Sequence, residues 1–406
     1  MEFGYTESQE KLRREVRGYL LDELPSDIQT SVPHIGREVQ EHALDLQRKM
    51  GSRRWLTPGW SPEYGGLGLG PIEQALVEES SGYWMNFWPN VVGLHFLAPI
   101  LFVHGTGEQK KKYLPPIARG EVMFWQCFTE PNAGSDESNA QLRAVEDGND
   151  YVLNGQKMFN GGAFKPDYLV VLTRTANTEP KHKGLTIFIV PANTPGITYR
   201  ALPVLGGHES NEIYFDNVRV SKDNMLGKLN GGFYCAMAIL QFERSDTGWP
   251  ASCKRMLEEF VQFCKEHVVD GKPLIKDPKV RQTLADMAMS AEVWRLSAWY
   301  AVWRFKEREK LGPQSYDLTG YFNRKVFTLH AKGMMDIMGM YGQLRGASKW
   351  SRMGGSVERL WQRARSKHGG GTIEIHKNIL AQRGLGLPRR KRAQAREQTK
   401  PQTLTD

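Results

Sequence analysis

The sequence of 406 residues predicts an α+β fold in which a β domain separates two helical regions. Three observations lead to this prediction: apolar residues recur at helical spacing up to about residue 120, short β-rich runs follow, and helical spacing returns after residue 231. Because single hydrophobic cores stop growing at ~250–300 residues, the chain needs more than one structural unit. The helical–β–helical order indicates that the two helical regions pack together across a β insertion.

The first region, residues 1–122, is predicted to be helical. Apolar residues such as Leu12, Val16 and Leu20 recur at helical spacing, and Pro- and Gly-containing loops interrupt the pattern. The N-terminus lacks the apolar core of a secretory signal, and no run approaches the roughly 18 apolar residues of a membrane span. We therefore expect a cytoplasmic bacterial protein and exclude a membrane channel or transporter.

The middle region, residues 123–228, is predicted to be a compact antiparallel β domain. It contains short runs of β-branched and aromatic residues, among them residues 168–172 and 185–190. Turn sequences such as Asn154-Gly155 separate these runs.

The last helical region spans residues 229–388, and a disordered basic tail, residues 389–406, is predicted to follow it. The tail holds six basic and two acidic side chains, which is nearly half of the formal net charge of +9. Because the excess charge is concentrated in this short tail, it does not indicate a nucleic-acid-binding surface. The remaining charge is compatible with attraction of polyanionic ligands.

Several familiar sites are excluded by spacing. The four cysteines form no C-x-x-C pair and the ten histidines no H-x-x-x-H pair, so we expect neither disulfides nor a metal site. The glycines of Gly66–Gly70 follow no predicted strand, which argues against a dinucleotide-binding βαβ unit. His368–Gly371 resembles an esterase oxyanion sequence, but the chain has no G-x-S-x-G nucleophile elbow.

Three segments carry residues suited to chemistry. The loop Thr129–Asp136 is rich in small and hydroxyl residues, so a flat ligand could approach its backbone, although an ordinary connection is the simpler alternative. Glu243 and Arg244 are expected on a half-buried helix surface, either as a catalytic pair or as a salt-bridged pair. The glycine turn Gly369–Thr372 precedes a helix and offers unhindered backbone N–H groups to a phosphate or a developing oxyanion.

Six segments, taken in order, resemble the acyl-CoA dehydrogenase family over roughly residues 5–388. The most specific is the Thr-Glu-Pro-x-Ala-Gly-Ser-Asp sequence at residues 129–136. The resemblance implies an N-terminal helical domain, a middle antiparallel β domain and a C-terminal four-helix bundle, with FAD bound non-covalently between the β domain and the bundle. The six segments are Leu56–Trp60, Glu63–Gly66, Thr129–Asp136, Asn154–Lys157, Asp216–Val220 and Gly371–Ile375.

The resemblance also implies a mechanism. A carboxylate removes the α-proton of an acyl-CoA thioester while the β-hydrogen leaves as hydride to flavin N5. Many members carry this base in a Tyr-Glu-Gly-Thr sequence, which here is Gly369–Thr372. A second arrangement places the base just before a helical Arg, which assigns it to Glu243, with a pKa raised by desolvation. Gly370 then contributes only its backbone N–H, which polarises the thioester carbonyl.

Further site residues follow from the same resemblance. The family pattern implies contacts to FAD from Phe128, Thr129, Gly134, Ser135, Phe159, Asn160, Thr372 and Glu374. It implies contacts to the acyl-CoA from Ser135, Arg244 and Gly369.

The chain departs from the family pattern in three places. Phe159-Asn160-Gly161 stands where Trp-Ile-Thr is usual beside the flavin, so the hydroxyl expected near N5 is missing. The Arg-x-x-Phe-Gly segment that grips the FAD diphosphate of a neighbouring subunit has no match at Pro273–Pro278, and Gly339–Gly342 matches the adenine-side loop only in part. The missing contacts must therefore come from elsewhere.

These departures, with Gly-Gly-Gly-Thr, resemble the bacterial acyl-CoA dehydrogenases that act on steroid or bile-acid side chains as α2β2 complexes. We expect a bulky or branched acyl-CoA substrate, an unlike partner subunit that supplies the FAD-diphosphate contacts, and an electron-transfer flavoprotein as acceptor. A homo-oligomer also remains open. The main alternative is a non-catalytic structural subunit of a heteromeric dehydrogenase, and a further one is an oxidase or hydroxylase that uses oxygen.

Overall fold

The computed structural model describes most of the chain. The described residues are 4–25, 37–85, 89–161, 164–205, 210–243, 246–306, 316–346, 348–365 and 369–388. The tail predicted for residues 389–406 lies outside them. None of the helices within these ranges is long and apolar enough to cross a membrane.

The N-terminal part is helical, as predicted from the sequence. Thr6 begins the first helix with a capping box, in which its side chain accepts from the backbone N–H of Gln9, and Thr106 and Gln109 begin the fifth helix in the same way. A π-helical segment, Val92–Leu97, leads directly into the fourth helix. The helices are α1 (Glu7–Glu23), α2 (Arg37–Ser52), α3 (Pro71–Met85), α4 (Ala98–His104) and α5 (Gly107–Ala118).

The middle part forms one sheet of eight strands within the described residues. The strands are β1 (Phe124–Cys127), β2 (Arg143–Asp147), β3 (Asp150–Asn160), β4 (Tyr168–Arg174), β5 (Leu185–Pro191), β6 (Ile197–Ala201), β7 (Asn211–Ser221) and β8 (Met225–Leu226). Seven of them lie in the order β6-β7-β3-β2-β4-β5-β8, and β1 pairs with β4.

Most pairings in this sheet are antiparallel, but β4 pairs in parallel with both β1 and β2. Phe124 of β1 lies opposite Tyr168 of β4, and Arg143 of β2 lies opposite Arg174. The sheet is therefore mixed rather than purely antiparallel. Turn sequences report only on strands that follow one another, whereas a parallel pair needs a long connection, which the residues between β1 and β4 supply.

The C-terminal part returns to helices, and four of them share one core. The buried side chains Phe260, Met287, Trp294, Phe327 and Leu360 belong to this core, which realises the four-helix bundle implied by the family resemblance. The helices are α6 (Gly232–Glu243), α7 (Gly248–Glu266), α8 (Pro278–Lys306), α9 (Tyr316–Met338), α10 (Ser356–Arg365) and α11 (Ile373–Ile379), with a short hairpin of β9 (Val268–Val269) and β10 (Lys272–Pro273) after α7.

Helix α6 contacts all three parts of the molecule. Its buried residues Ala236 and Ile239 share a core with Leu97 of the π-helical segment and with Ile187 of β5, and α6 also contacts α9. Close packing requires a glycine at its start, because a Cβ on Gly232 would lie 2.7 Å from Cα of Thr186. The α+β class and the predicted helical–β–helical order are confirmed, and α6 brings the three parts together.

Candidate functional site

The predicted cofactor loop begins where β1 ends. Phe128 is buried, and the backbone carbonyl of Thr129 accepts from the N–H of Met158 in β3 at 2.9 Å. Gly134 and Ser135 are exposed, and the space beside the Cα of Gly134 is open. The loop is thus held at its base and presents its backbone and hydroxyl groups at its exposed end.

A buried ion pair lies beneath this loop. Lys157 of β3 is fully buried, and its Nζ donates to Oε1 of Glu130 at 2.8 Å and to the carbonyl of Phe128 at 3.0 Å. Burial lowers the pKa of Lys157, and the Glu130 carboxylate opposes that shift. Sequence reasoning assigned neither residue a role, although each belongs to a segment that resembles the family.

The end of β3 combines an exposed ring with a buried amide. Phe159 has φ of 58° and an exposed side chain, whereas Asn160 is buried and its Nδ2 has no hydrogen-bond partner among the described residues. A buried donor left unpaired costs about 1–3 kcal/mol, so a ligand acceptor at this position would be stabilising. A flat ring system with hydrogen-bond acceptors, as in the isoalloxazine of FAD, fits this pair of features.

The glycine turn before α11 adopts backbone conformations that favour glycine. Gly370 has φ of +72° and Gly371 of +103°, and Arg324 of α9 donates from Nη2 to the carbonyl of Gly369. Thr372 caps α11 by accepting from the N–H of Ile375 at 3.3 Å. The turn is therefore attached to α9 and supplies backbone groups in place of a carboxylate.

The helix after this turn is anchored against α9. His376 is buried, and a Cβ on Gly320 of α9 would lie 2.4 Å from its Cε1, so only glycine allows this contact. Glu374, two residues earlier and on the other side of the helix, is exposed. The predicted cofactor contacts Thr372 and Glu374 thus lie on a short helix whose opposite side is packed on the bundle.

The predicted base lies at the end of α6. Glu243 is the last residue of this helix, its side chain lies outside the described residues, and so does the whole of Arg244. Their predicted roles therefore stay predictions. Helix α6 contacts α9, whose Arg324 holds the glycine turn, so the helix that carries Glu243 contacts the helix to which the turn is attached.

Sequence reasoning missed a polar cluster between α3 and the π-helical segment. Glu78 of α3 accepts from Nε2 of Gln74 at 3.0 Å and lies 3.6 Å from Nδ1 of His95 in the π-helical segment. Burial raises the pKa of Glu78, and His95 opposes the shift. His95 is a polar residue inside an apolar helical run, and this contrast could have indicated a polar cluster from the sequence.

A basic turn, Lys181–Gly184, was also missed. Nζ of Lys181 donates to Oδ1 of Asn139 at 3.1 Å, and the ring of His182 lies edge-on to Tyr234 near the start of α6 with centroids 5.9 Å apart. Lys181 and Lys183 are exposed. The Lys-His-Lys sequence directly before an apolar strand could have indicated an anion-binding surface.

The segments that depart from the family pattern are placed as follows. Residues 274–276 form a short turn before α8, and residues 339–343 form another after α9 that exposes Met340 and Tyr341. Neither turn contains an arginine. The described residues thus show no replacement for the missing diphosphate contact within these two segments.

Three family models match consecutive parts of the chain. Residues 6–121 match the N-terminal domain, residues 126–218 the middle domain and residues 230–385 the C-terminal domain of acyl-CoA dehydrogenase. Acyl-CoA dehydrogenase FadE26 of Mycobacterium tuberculosis is 31% identical over 403 residues, which cover 97% of this chain and 100% of the relative.

Solved structures of two heteromeric complexes are also similar. The Tcur3481-Tcur3483 steroid ACAD has a TM-score of 0.84 at 30% identity, with 96% of this chain and 100% of that chain covered. The ChsE4-ChsE5 complex from Mycobacterium tuberculosis has a TM-score of 0.84 at 29% identity, with the same coverage of both chains.

Proposed function

The chain belongs to the acyl-CoA dehydrogenase family and uses FAD as its cofactor, and from this premise we propose that it oxidises a bulky or branched acyl-CoA thioester, such as a steroid side chain. The reaction places a double bond between the α and β carbons of the acyl group. The steroid assignment is supported by the similar steroid ACAD, and the three departures from the family pattern agree with it.

Glu243 is the proposed base. Its carboxylate takes the α-proton, while the β-hydrogen leaves with its electron pair as hydride. Bound FAD supplies the hydride acceptor. The N–H of Gly370 donates to the thioester oxygen, which stabilises the negative charge that develops as the α-proton leaves.

The glycine turn is the observation that carries this assignment. The usual base of the family would stand at Gly370, but this residue has φ of +72°, where a residue with a side chain is strained. The turn therefore contributes N–H groups and no carboxylate. Glu243 is the acidic residue at the end of α6, and α6 contacts the helix that holds the turn.

The CoA portion is proposed to follow α6 toward the basic turn. Tyr234 lies nine residues before Glu243 in α6, a rise of about 14 Å, so the helix separates Glu243 at one end from Tyr234 and His182 near the other. Lys181 and Lys183 are exposed there and suit the phosphates of CoA. The aromatic rings nearby suit a stacked adenine.

We further propose that the enzyme works as an α2β2 complex with an unlike subunit and passes electrons to an electron-transfer flavoprotein. The similar ChsE4-ChsE5 complex contains two differently named subunits, which supports this assembly. The unlike subunit would supply the diphosphate contact that the family motif provides elsewhere.

The test compares Glu243→Gln with Glu108→Gln in the complex co-expressed from the neighbouring genes. Glu108 is a matched control because its side chain is 91% exposed on α5. Under anaerobic conditions we expect steroid-derived CoA thioesters to bleach the flavin absorbance in wild type and Glu108→Gln. In Glu243→Gln the bleaching rate should fall about 10²–10⁴-fold while the oxidised flavin spectrum is retained.

Other outcomes would contradict parts of the proposal. Equal bleaching in Glu243→Gln would place the base elsewhere. Absence of flavin from both the isolated chain and the complex would favour a non-catalytic structural subunit. Rapid reoxidation of the bleached flavin by air would indicate an oxygen-using enzyme.

A further inference from the structure

We propose that Glu130 and Lys157 are positioning residues that hold the cofactor loop against the end of β3. They thereby fix the position of one flavin-contacting segment relative to the other. The inference rests on the proposed function only in taking residues 128–135 and Phe159–Asn160 as the segments that touch FAD. Neither Glu130 nor Lys157 needs to contact the cofactor itself.

The pair joins three consecutive loop residues to two consecutive strand residues. Lys157 Nζ donates to the carbonyl of Phe128 and to the carboxylate of Glu130, and the N–H of Met158 donates to the carbonyl of Thr129. A single buried ammonium group and one backbone N–H therefore fix residues 128, 129 and 130 against β3.

The carboxylate of Glu130 holds the far side of the loop. Its Oε2 accepts from the N–H of Gln141 at 2.6 Å, and its Oε1 accepts from the N–H of Leu142 at 2.9 Å as well as from Lys157. The backbones of Glu130 and Ala133 also exchange hydrogen bonds at 2.9 and 3.1 Å. The loop is therefore closed at residues 130–142 around one buried carboxylate.

The sheet itself does not supply this fixation at the end of β3. Lys157 is paired in register with Ile213 of β7, but the register shifts before the next pair, Asn160 with Asn211. Residues 158 and 159 thus fall in an irregular stretch, where β-bulges commonly re-aim side chains beside active sites. Contacts from Lys157 and Met158 to the loop replace the missing ladder contacts and set where Phe159 points.

A requirement for stability alone does not explain why this pair is ionic. Removing two charges from water is costly, and well-packed apolar residues of similar volume are often neutral or stabilising replacements. Apolar side chains, however, could not donate to the carbonyl of Phe128 or accept from the N–H groups of Gln141 and Leu142. These hydrogen bonds hold the loop in its observed conformation, and only a charged or polar pair at positions 130 and 157 can form them.

The experiment uses the co-expressed complex and three variants. Lys157→Met leaves a buried carboxylate unpaired, whereas Lys157→Met with Glu130→Gln removes both charges. Leu153→Ala is the matched control, because Leu153 is a buried core residue of the same strand that makes none of the hydrogen bonds described between the strand and the loop. The readouts are the thermal midpoint and the FAD dissociation constant, measured by titrating the deflavinated complex with FAD.

We expect the double variant to regain thermal stability relative to Lys157→Met. Its FAD dissociation constant should stay about tenfold or more above wild type, by analogy with metal sites, where loss of the residues that orient the ligands costs roughly 10–100-fold in metal affinity. Leu153→Ala should lose stability with little change in that constant. Hydrogen exchange measured by mass spectrometry should be faster in residues 128–142 of the double variant and unchanged in β5.

Recovery of FAD affinity together with stability in the double variant would overturn the inference and leave the pair a purely structural one. So would a loss of FAD affinity in Leu153→Ala as large as that in the double variant. A wild-type complex that binds no FAD would instead refute the proposed function, so the two failures are distinguishable.

Discussion

Gly370 and Gly371 show at the scale of single residues how a missing side chain decides the chemistry. Both have positive φ, which glycine adopts freely and other residues adopt only with strain. A residue with a carboxylate side chain would be strained in this conformation. The turn can therefore polarise a carbonyl through its N–H groups, while the base has to come from another element.

Substitution of Gly371 tests this conformation. Gly371→Ala should lower the free energy of unfolding by about 1–3 kcal/mol and reduce kcat, because a Cβ at φ of +103° is strained. Gly107→Ala, at the exposed start of α5, is the matched control, since its φ is not positive and no atom lies within 4 Å of the position of its Cβ. Thermal unfolding and steady-state kinetics check the result, and equal effects of the two substitutions would contradict it.

His330 gives the bundle a dependence on pH. Its ring is buried, with Nδ1 3.2 Å from Sγ of Cys253 and Nε2 2.9 Å from the carbonyl of Met287, and burial lowers its pKa to about 4. Between pH 4 and 6.5 the unfolded state binds more protons at this site than the folded state. Stability is therefore complete above pH 6.5 and falls as the pH drops toward 4.

We expect the titration of His330 alone to lower the free energy of unfolding by about 2 kcal/mol between pH 7 and pH 5. His330→Gln should be less stable than wild type at pH 7 but should lose less on acidification. His42→Gln, at an exposed position, is the control and should follow wild type. Urea unfolding at the two pH values measures the effect, and parallel losses in wild type and His330→Gln would exclude His330 as the cause.

At the scale of secondary-structure elements, α6 and the basic turn organise the proposed substrate path. Helix α6 packs on β5 through Gly232 and contacts the bundle through α9, so its two ends face different parts of the molecule. The basic turn lies at one end, joined by Lys181 to the segment after the cofactor loop. The path proposed for CoA therefore runs along an element that packs on the sheet and contacts the bundle.

The basic turn should govern affinity rather than chemistry. Lys181→Glu with Lys183→Glu should raise KM for acyl-CoA about tenfold at low salt and leave kcat nearly unchanged, because charge is reversed far from the reacting carbons. The difference should shrink as salt rises. Lys111→Glu, on an exposed part of α5, is the control. Steady-state kinetics at two ionic strengths measure this, and a salt-independent rise in KM would argue against an electrostatic role.

At the scale of the whole molecule, α8 presents an unusual apolar stripe. Met289, Val293, Leu296 and Tyr300 are spaced along one face of the helix and are exposed by 44 to 60%. Contiguous exposed apolar surface of this kind is typical of interaction sites. The stripe is where the proposed assembly would bury surface against another subunit.

Introducing charged residues into this apolar stripe should disrupt the complex. Val293→Glu with Leu296→Glu should convert the co-expressed assembly to smaller species and lower its FAD content, because two buried charges without partners destabilise an interface. Val103→Glu, an exposed single apolar residue on α4, should leave the assembly unchanged. Light scattering after gel filtration measures the mass, and an intact complex in the double variant would place the interface elsewhere.

Much of the fold could be predicted because it depends on local signals. The helical spacing of Leu12, Val16 and Leu20 predicted α1, and Val16 and Leu20 are fully buried. The parallel pairing of β1 with β4 could not be predicted, since no turn sequence joins these strands. The cofactor loop and the glycine turn were identified as motifs, but their anchoring to Lys157 and Arg324 was not.

The sequence by itself determined the order of helices and strands, the family, the cofactor and the candidate residues. These follow from periodicity and from motifs whose residues are close together in the sequence. Only the tertiary structure decided that Lys157 meets Glu130, a partner 27 positions away, and that Arg324 meets Gly369, a partner 45 positions away. Such contacts depend on strand register and helix packing, where a shift of one residue reverses which side chains are buried. The positions of the reacting groups are therefore properties of the packed molecule.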